Sequence, residues 1–135
     1  MPSTDPIAPH VLLVDDDTAV AQVLATVLKR AGYRVTTAGS GHEAEGLLGE
    51  RFDAMVLDLR LPGMRGDAFY FLASTRQPWL VCRALFLTGD ITEQAEELIE
   101  VTGCRWLRKP FHLVEMLDAV AAMAPLPVAR MPRVS

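Results

Sequence analysis

The chain has 135 residues, half of them apolar, with a formal net charge of −4 and two cysteines. That length suits one domain around a single core, the acidic balance argues against direct nucleic-acid binding, which needs a basic face, and no apolar run approaches the ~20 residues of a membrane span. Cys82 and Cys104 lack CxxC spacing, so reduced, partly buried thiols are expected rather than a disulfide or zinc site, and the start, Met1-Pro2-Ser3-Thr4-Asp5-Pro6, lacks a signal pattern, so a cytoplasmic protein is expected.

Residues 1–9 carry three prolines and are expected to be irregular. An apolar run predicts a strand at 10–14, ending in Asp15, Asp16 and Asp17. Val20, Val23, Leu24, Val27 and Leu28 then recur at helical spacing as far as Gly32, a C-terminal stop, with Asp17 where an N-cap belongs. A second strand is predicted at 33–38, and Ser40-Gly41-His42-Glu43 has the capping-box spacing that opens a second helix. The third strand, 54–57, runs into Asp58. The third helix, 66–76, stops before Gln77-Pro78, because a proline disfavours helix in the residue before it.

A fourth strand at 83–87 leads to Thr88 and Gly89, and Asp90 or Thr92 caps a fourth helix. Its Glu93, Glu96, Glu97 and Glu100 form either a solvated face or part of a partner surface. The fifth strand, 105–107, ends near Lys109, and Leu113, Met116, Leu117 and Val120 define the last helix. Residues 125–135 hold three more prolines with Arg130 and Arg133; they read as a plain solvated tail or as a short contact segment or linker remnant. Five strand–helix alternations imply an α/β fold, with strands mostly apolar on both faces, as a sheet covered by helices requires.

In such sheets ligands gather outside the carboxyl ends of the strands, where Asp15, Asp16, Asp58 and Lys109 all fall. Carboxylates placed together raise one another's pKa unless a cation lies between them. The donors are hard oxygens with no Cys or His beside them, which points to Mg²⁺. A carboxylate beside Mg²⁺ and a lysine suits phosphoryl transfer onto Asp, the cations neutralising oxygen charge while the carboxylate attacks phosphorus. His10, His42 and His112 have no partners at metal spacing.

The segments Leu12-Leu13-Val14-Asp15-Asp16-Asp17, Leu57-Asp58-Leu59-Arg60-Leu61-Pro62-Gly63, Phe86-Leu87-Thr88-Gly89 and Lys109-Pro110-Phe111, in this order, resemble the receiver domains of bacterial two-component response regulators, which include the chemotaxis regulators. The resemblance covers roughly residues 9 to 124, so 10–124 is expected to be the domain. It implies a doubly wound, flavodoxin-like receiver fold with a five-stranded parallel sheet in the order 2-1-3-4-5. It also implies that Asp58 is the phosphoacceptor. Asp16 then binds Mg²⁺ directly, Asp15 acts partly through water, and Asp58 and the Arg60 carbonyl complete the ligands. Thr88 matches the family's switch hydroxyl, beside Gly89, and a cis Lys109-Pro110 bond aims the lysine inward.

Trp106 stands where the family more commonly carries Tyr, Phe or His, and switching and static packing both remain open for it. Arg60 and Asp90 flank the phosphorylation site; they either pair across its mouth and slow hydrolysis or act as independent surface charges. The resemblance further implies a phosphohistidine donor on a sensor kinase or phosphotransfer protein, a downstream protein target, and a monomer or weak dimer. Such a stoichiometric phosphoacceptor is a signalling module rather than an enzyme. Ala19, Gln22, Val23 and Thr26 occupy positions where pairing specificity usually sits. The alternatives are a receiver-fold interaction module acting without phosphorylation and the receiver portion of a hybrid histidine kinase. A haloacid-dehalogenase-type phosphatase needs an acid two residues after its nucleophile, and Arg60 stands there instead.

Overall fold

A computed structural model of the chain describes residues 8–89 and 93–127. Its elements are β1 (His10–Val14), α1 (Thr18–Ala31), β2 (Arg34–Ala38), α2 (Gly41–Glu45), β3 (Ala54–Asp58), α3 (Gly66–Arg76), a single 3₁₀ turn (Pro78–Leu80), β4 (Ala84–Thr88), α4 (Glu93–Thr102), β5 (Arg105–Arg108) and α5 (Leu113–Met123). The strands form one parallel sheet in the order β2-β1-β3-β4-β5, the doubly wound architecture expected from the sequence.

Side chains alternate across a strand, and the core divides accordingly. Val11, Leu13, Ala54, Val56, Leu85 and Leu87 pack with α1 and α5, while Leu12, Val14, Met55, Leu57, Ala84 and Phe86 pack with α2, α3 and α4. All twelve are fully buried, which is why the three central strands read as continuous apolar runs. The register aligns their ends: Val14 lies beside Leu57, and Leu57 beside Phe86.

The helix termini follow local chemistry. Asp17 caps α1, its carboxylate accepting the Ala19 and Val20 N–H groups at 3.1 and 3.2 Å. Gly32 ends the helix at φ +116°, where an L side chain would be strained. Ser40 accepts the Glu43 N–H at 3.1 Å, but Glu43 returns to the N–H of Gly39 at 3.0 Å rather than to that of Ser40, so the expected box is shifted by one residue.

The fully covered sheet expected from the sequence holds only at its centre. In β2, Thr37 is exposed, and in β5, Arg105, Trp106 and Arg108 are exposed, because both are edge strands with one neighbour each. Val23 and Leu113 keep helical periodicity but also face outward. Cys104 is buried while Cys82 is exposed, and both thiols are free. The expected cap at Asp90 or Thr92 lies outside the described residues.

Candidate functional site

The aligned strand ends deliver the acidic groups to one place. Asp15 leaves β1 one residue after Val14, Asp58 closes β3, and the two strands are hydrogen-bonded neighbours. Asp15 and Asp58 are buried, and Asp16 is exposed. Each buried carboxylate is pinned by the same device, an aspartate accepting the N–H two residues on. Asp15 Oδ1 accepts from Asp17 N–H at 2.9 Å, and Asp58 Oδ1 from Arg60 N–H at 2.8 Å.

Their second oxygens meet Lys109. Its N–H donates to the Thr88 carbonyl at 2.8 Å, prolonging the β4–β5 ladder, and its peptide bond to Pro110 is cis. The ammonium reaches Asp15 Oδ2 at 3.2 Å and Asp58 Oδ2 at 3.0 Å. Burial pushes the Asp15 carboxyl above its ordinary value, against the opposing pull of the Asp17 N–H and of Lys109. For Lys109, burial acts to lower the pKa, but the hydrogen bonds and charges of Asp58 and Asp15 together outweigh it and raise the pKa.

Asp15, Asp16 and Asp58 can each present a carboxylate oxygen within 4.8 Å of the others. An all-oxygen donor set with two buried members fits a hard divalent cation of the Mg²⁺ or Ca²⁺ class and not a thiophilic metal. The carboxylates with Lys109 carry a formal charge of −2, which one such cation balances. Thr88 is buried at the end of β4, and Arg60 and Gly89 are exposed around the site. Trp106 lies beside Phe86 in the ladder, with its ring facing outward and 40% exposed. Asp90 lies outside the described residues.

Two features escaped sequence reasoning. Gly66, the first residue of α3, lies so close to β3 that a Cβ there would overlap the Asp58 carbonyl oxygen. A glycine opening a helix without a side-chain cap was the available signal. The second is an apolar cavity of about 560 Å³ between α1 and the connection from β5 to α5, lined by Ala19, Val20, Val23, Phe111 and Leu113, with Lys109 in its wall. Of the predicted pairing positions, Ala19 and Val23 border it.

The family model described as the response regulator receiver domain matches residues 11–121. The chain is similar to the response regulator protein FleR of Pseudomonas aeruginosa, at 32% identity over 119 residues; these are 87% of this chain but 25% of FleR, so it spans a quarter of that relative's length. Among solved structures, the non-phosphorylated HemR receiver domain from Leptospira biflexa superposes with a TM-score of 0.76 at 33% identity, covering 93% of this chain and 99% of that one. A response regulator protein from Burkholderia pseudomallei, solved with a phosphorylated aspartic acid, calcium ion and citrate, gives a TM-score of 0.74 at 31% identity over 83% of this chain and 66% of that one.

Proposed function

The chain belongs to the response regulator receiver domain family, and on that premise we propose that it takes a phosphoryl group from a phosphohistidine of a sensor histidine kinase or histidine phosphotransfer protein onto Asp58, with Mg²⁺, and so changes its affinity for a downstream protein. The observation that carries this reading is the Lys109 ammonium, held 3.2 Å from Asp15 and 3.0 Å from Asp58 between buried carboxylates of two strands. The phosphorylated aspartic acid and calcium ion of the Burkholderia pseudomallei relative support it.

In the proposed step an Asp58 carboxylate oxygen attacks phosphorus, the P–N bond to the donor imidazole breaks, and its electron pair leaves with the donor nitrogen. Lys109 is already within hydrogen-bond distance of the attacking group and transfers part of its interaction to a phosphoryl oxygen. The Thr88 hydroxyl donates to another phosphoryl oxygen. Asp15, Asp16, Asp58 and the Arg60 carbonyl would hold Mg²⁺, which when bound neutralises phosphoryl oxygen charge. Because Lys109 forms part of the wall of the apolar cavity, a donor helix seated between α1 and Phe111 lies beside Asp58. The cytoplasm is the proposed compartment.

The test is incubation with Mg²⁺ and acetyl phosphate, followed by intact mass of the wild type and of Asp58→Ala. A single Mg²⁺-dependent phosphoryl addition, absent from the variant, supports the reading. No addition, either from acetyl phosphate or from a phosphorylated kinase, leaves an interaction module that works without phosphorylation.

A further inference from the structure

At the end of the sheet opposite Asp58, the chain's two cysteines converge on one tyrosine. Tyr70 of α3 is buried, edge-on to Phe86 of β4 with ring centroids 5.5 Å apart. Its hydroxyl oxygen accepts the Cys82 N–H at 3.0 Å, and Cys104 is near enough to the same hydroxyl to help raise its pKa. Thr102 joins the two cysteines a second time. The Cys82 thiol donates to the Thr102 carbonyl at 3.3 Å, and the Cys104 N–H donates to the Thr102 hydroxyl at 3.2 Å.

The two cysteines lead into neighbouring paired strands, with Leu85 beside Arg105, and the Cys82 sulfur lies 3.3 Å from the carbonyl oxygen of Thr102, two residues before Cys104. Their environments differ in a useful way: Cys82 is exposed and Cys104 is buried. An oxidant in solution meets the first, and only the first can present the second with a sulfur to attack. Burial and the neighbouring thiols push the Tyr70 hydroxyl up to about 12, so it stays protonated and available as a donor.

We propose that Cys82 and Cys104 are an oxidant-responsive dithiol, in which a hydroperoxide oxidises Cys82 and Cys104 closes an intramolecular disulfide. With hydrogen peroxide, the Cys82 thiolate attacks one oxygen, the O–O bond breaks, and the leaving hydroxide takes the proton that the thiol released, so that Cys82 sulfenic acid and water form. The Cys104 sulfur then attacks the Cys82 sulfur, the S–O bond breaks, and the oxygen leaves with the Cys104 proton as a second water. The peroxide takes up the two electrons. Closure takes the Cys82 sulfur from the Thr102 carbonyl, beside Tyr70, which packs on the strand that ends at Thr88.

The experiment treats the wild type, Cys82→Ser, Cys104→Ser and Cys104→Ala with hydrogen peroxide, alkylates remaining thiols in denaturant, and maps the peptides without reduction. Thermal unfolding of each variant beforehand confirms that it is folded. The wild type is expected to lose two hydrogens, to resist alkylation and to yield one peptide pair joined through Cys82 and Cys104, reversed by dithiothreitol. Either Cys104 variant should stop at a dimedone-reactive Cys82, and Cys82→Ser should stay unmodified. Accumulation of Cys82 sulfenic or sulfinic acid in the wild type with Cys104 alkylated overturns the proposal, as do crosslinks found only between chains.

Discussion

Gly66→Ala tests whether the backbone contact between α3 and β3 positions Asp58, the proposed phosphoacceptor. An added Cβ would overlap the Asp58 carbonyl oxygen and stand 3.1 Å from both the Asp58 carbonyl carbon and the Leu59 Cα. These are backbone atoms, so no side-chain rotation relieves the overlap, and either the start of α3 or the Asp58–Leu59 peptide must move. Overpacking of this kind costs about 1–3 kcal/mol, and the gain from replacing a helical glycine returns up to ~1 kcal/mol. A net loss of about 1–2 kcal/mol is expected in urea unfolding. The catalytic effect should be larger than the stability effect, because a shift of ~1 Å in a reacting group can reduce a rate by about 100-fold. Initial phosphorylation rates from acetyl phosphate, followed by intact mass, are expected to fall by about 10- to 100-fold while the protein stays folded. Gly49→Ala is the control, since a Cβ there meets nothing within 4 Å. If Gly66→Ala phosphorylates within twofold of wild type, the α3 contact does not position Asp58.

Lys109→Met should lose about 1–3 kcal/mol at neutral pH, less than a fully buried pair because the lysine side chain is 28% exposed, and should phosphorylate far more slowly; wild-type behaviour in both assays would remove Lys109 from the site. Asp17→Ala should destabilise by ~1 kcal/mol through loss of the α1 cap without abolishing Mg²⁺-dependent phosphorylation, a split that urea titration and intact mass read separately. His10 is buried, with its ring 2.7 Å from the Thr36 hydroxyl, and burial, then Arg34, lower its pKa from 6.5. The unfolded chain therefore binds the proton more readily, and His10's contribution to stability is full above pH 6.5 and is lost as pH falls below it. Urea midpoints should fall more steeply for wild type than for His10→Gln between about pH 7 and about pH 5, and parallel curves would contradict this. Replacing both Arg60 and Asp90 with alanine should shorten the lifetime of the aspartyl phosphate, and an unchanged decay rate would leave them as independent surface charges.

What was legible depended on whether one segment carried the whole signal. The central strands were visible because burial on both faces makes each an uninterrupted apolar run, and each run stops at a charged or hydroxyl group that cannot be buried unpartnered. The C-terminal end of α3 was visible because Gln77-Pro78 disfavours its continuation. Trp106 has the composition of a core residue, yet its exposure follows from β5 lying at the edge of the sheet, which is a property of strand order. Val23 likewise repeats with Leu24 and Leu28, but the sheet covers a narrower stripe of α1 than the periodicity suggests. Asp15, Asp58 and Lys109 could be named from their positions, whereas the overlap that Gly66 avoids exists only once α3 has docked on β3. The approach of the Cys82 thiol to Thr102, two residues before Cys104, is hidden for the same reason, since the two cysteines precede different strands.

Register explains why the acidic cluster and the core cannot vary independently. Side chains alternate along β3, so a slip of one residue against β1 would exchange the Met55 and Leu57 face with the Ala54 and Val56 face and misalign Asp58 with Asp15. Apolar packing on both faces opposes that slip, and the same packing holds two carboxylates out of water with one ammonium between them. The core thus supplies the force that concentrates like charge, and Lys109 relieves only part of it. The remaining formal charge of −2, from three carboxylates and one ammonium, matches a divalent cation. Converting Asp58 to its dianionic phosphoryl form would then add one negative charge at the mouth of the site. Groups there, the Thr88 hydroxyl first among them, have reason to reorganise after phosphorylation and not before.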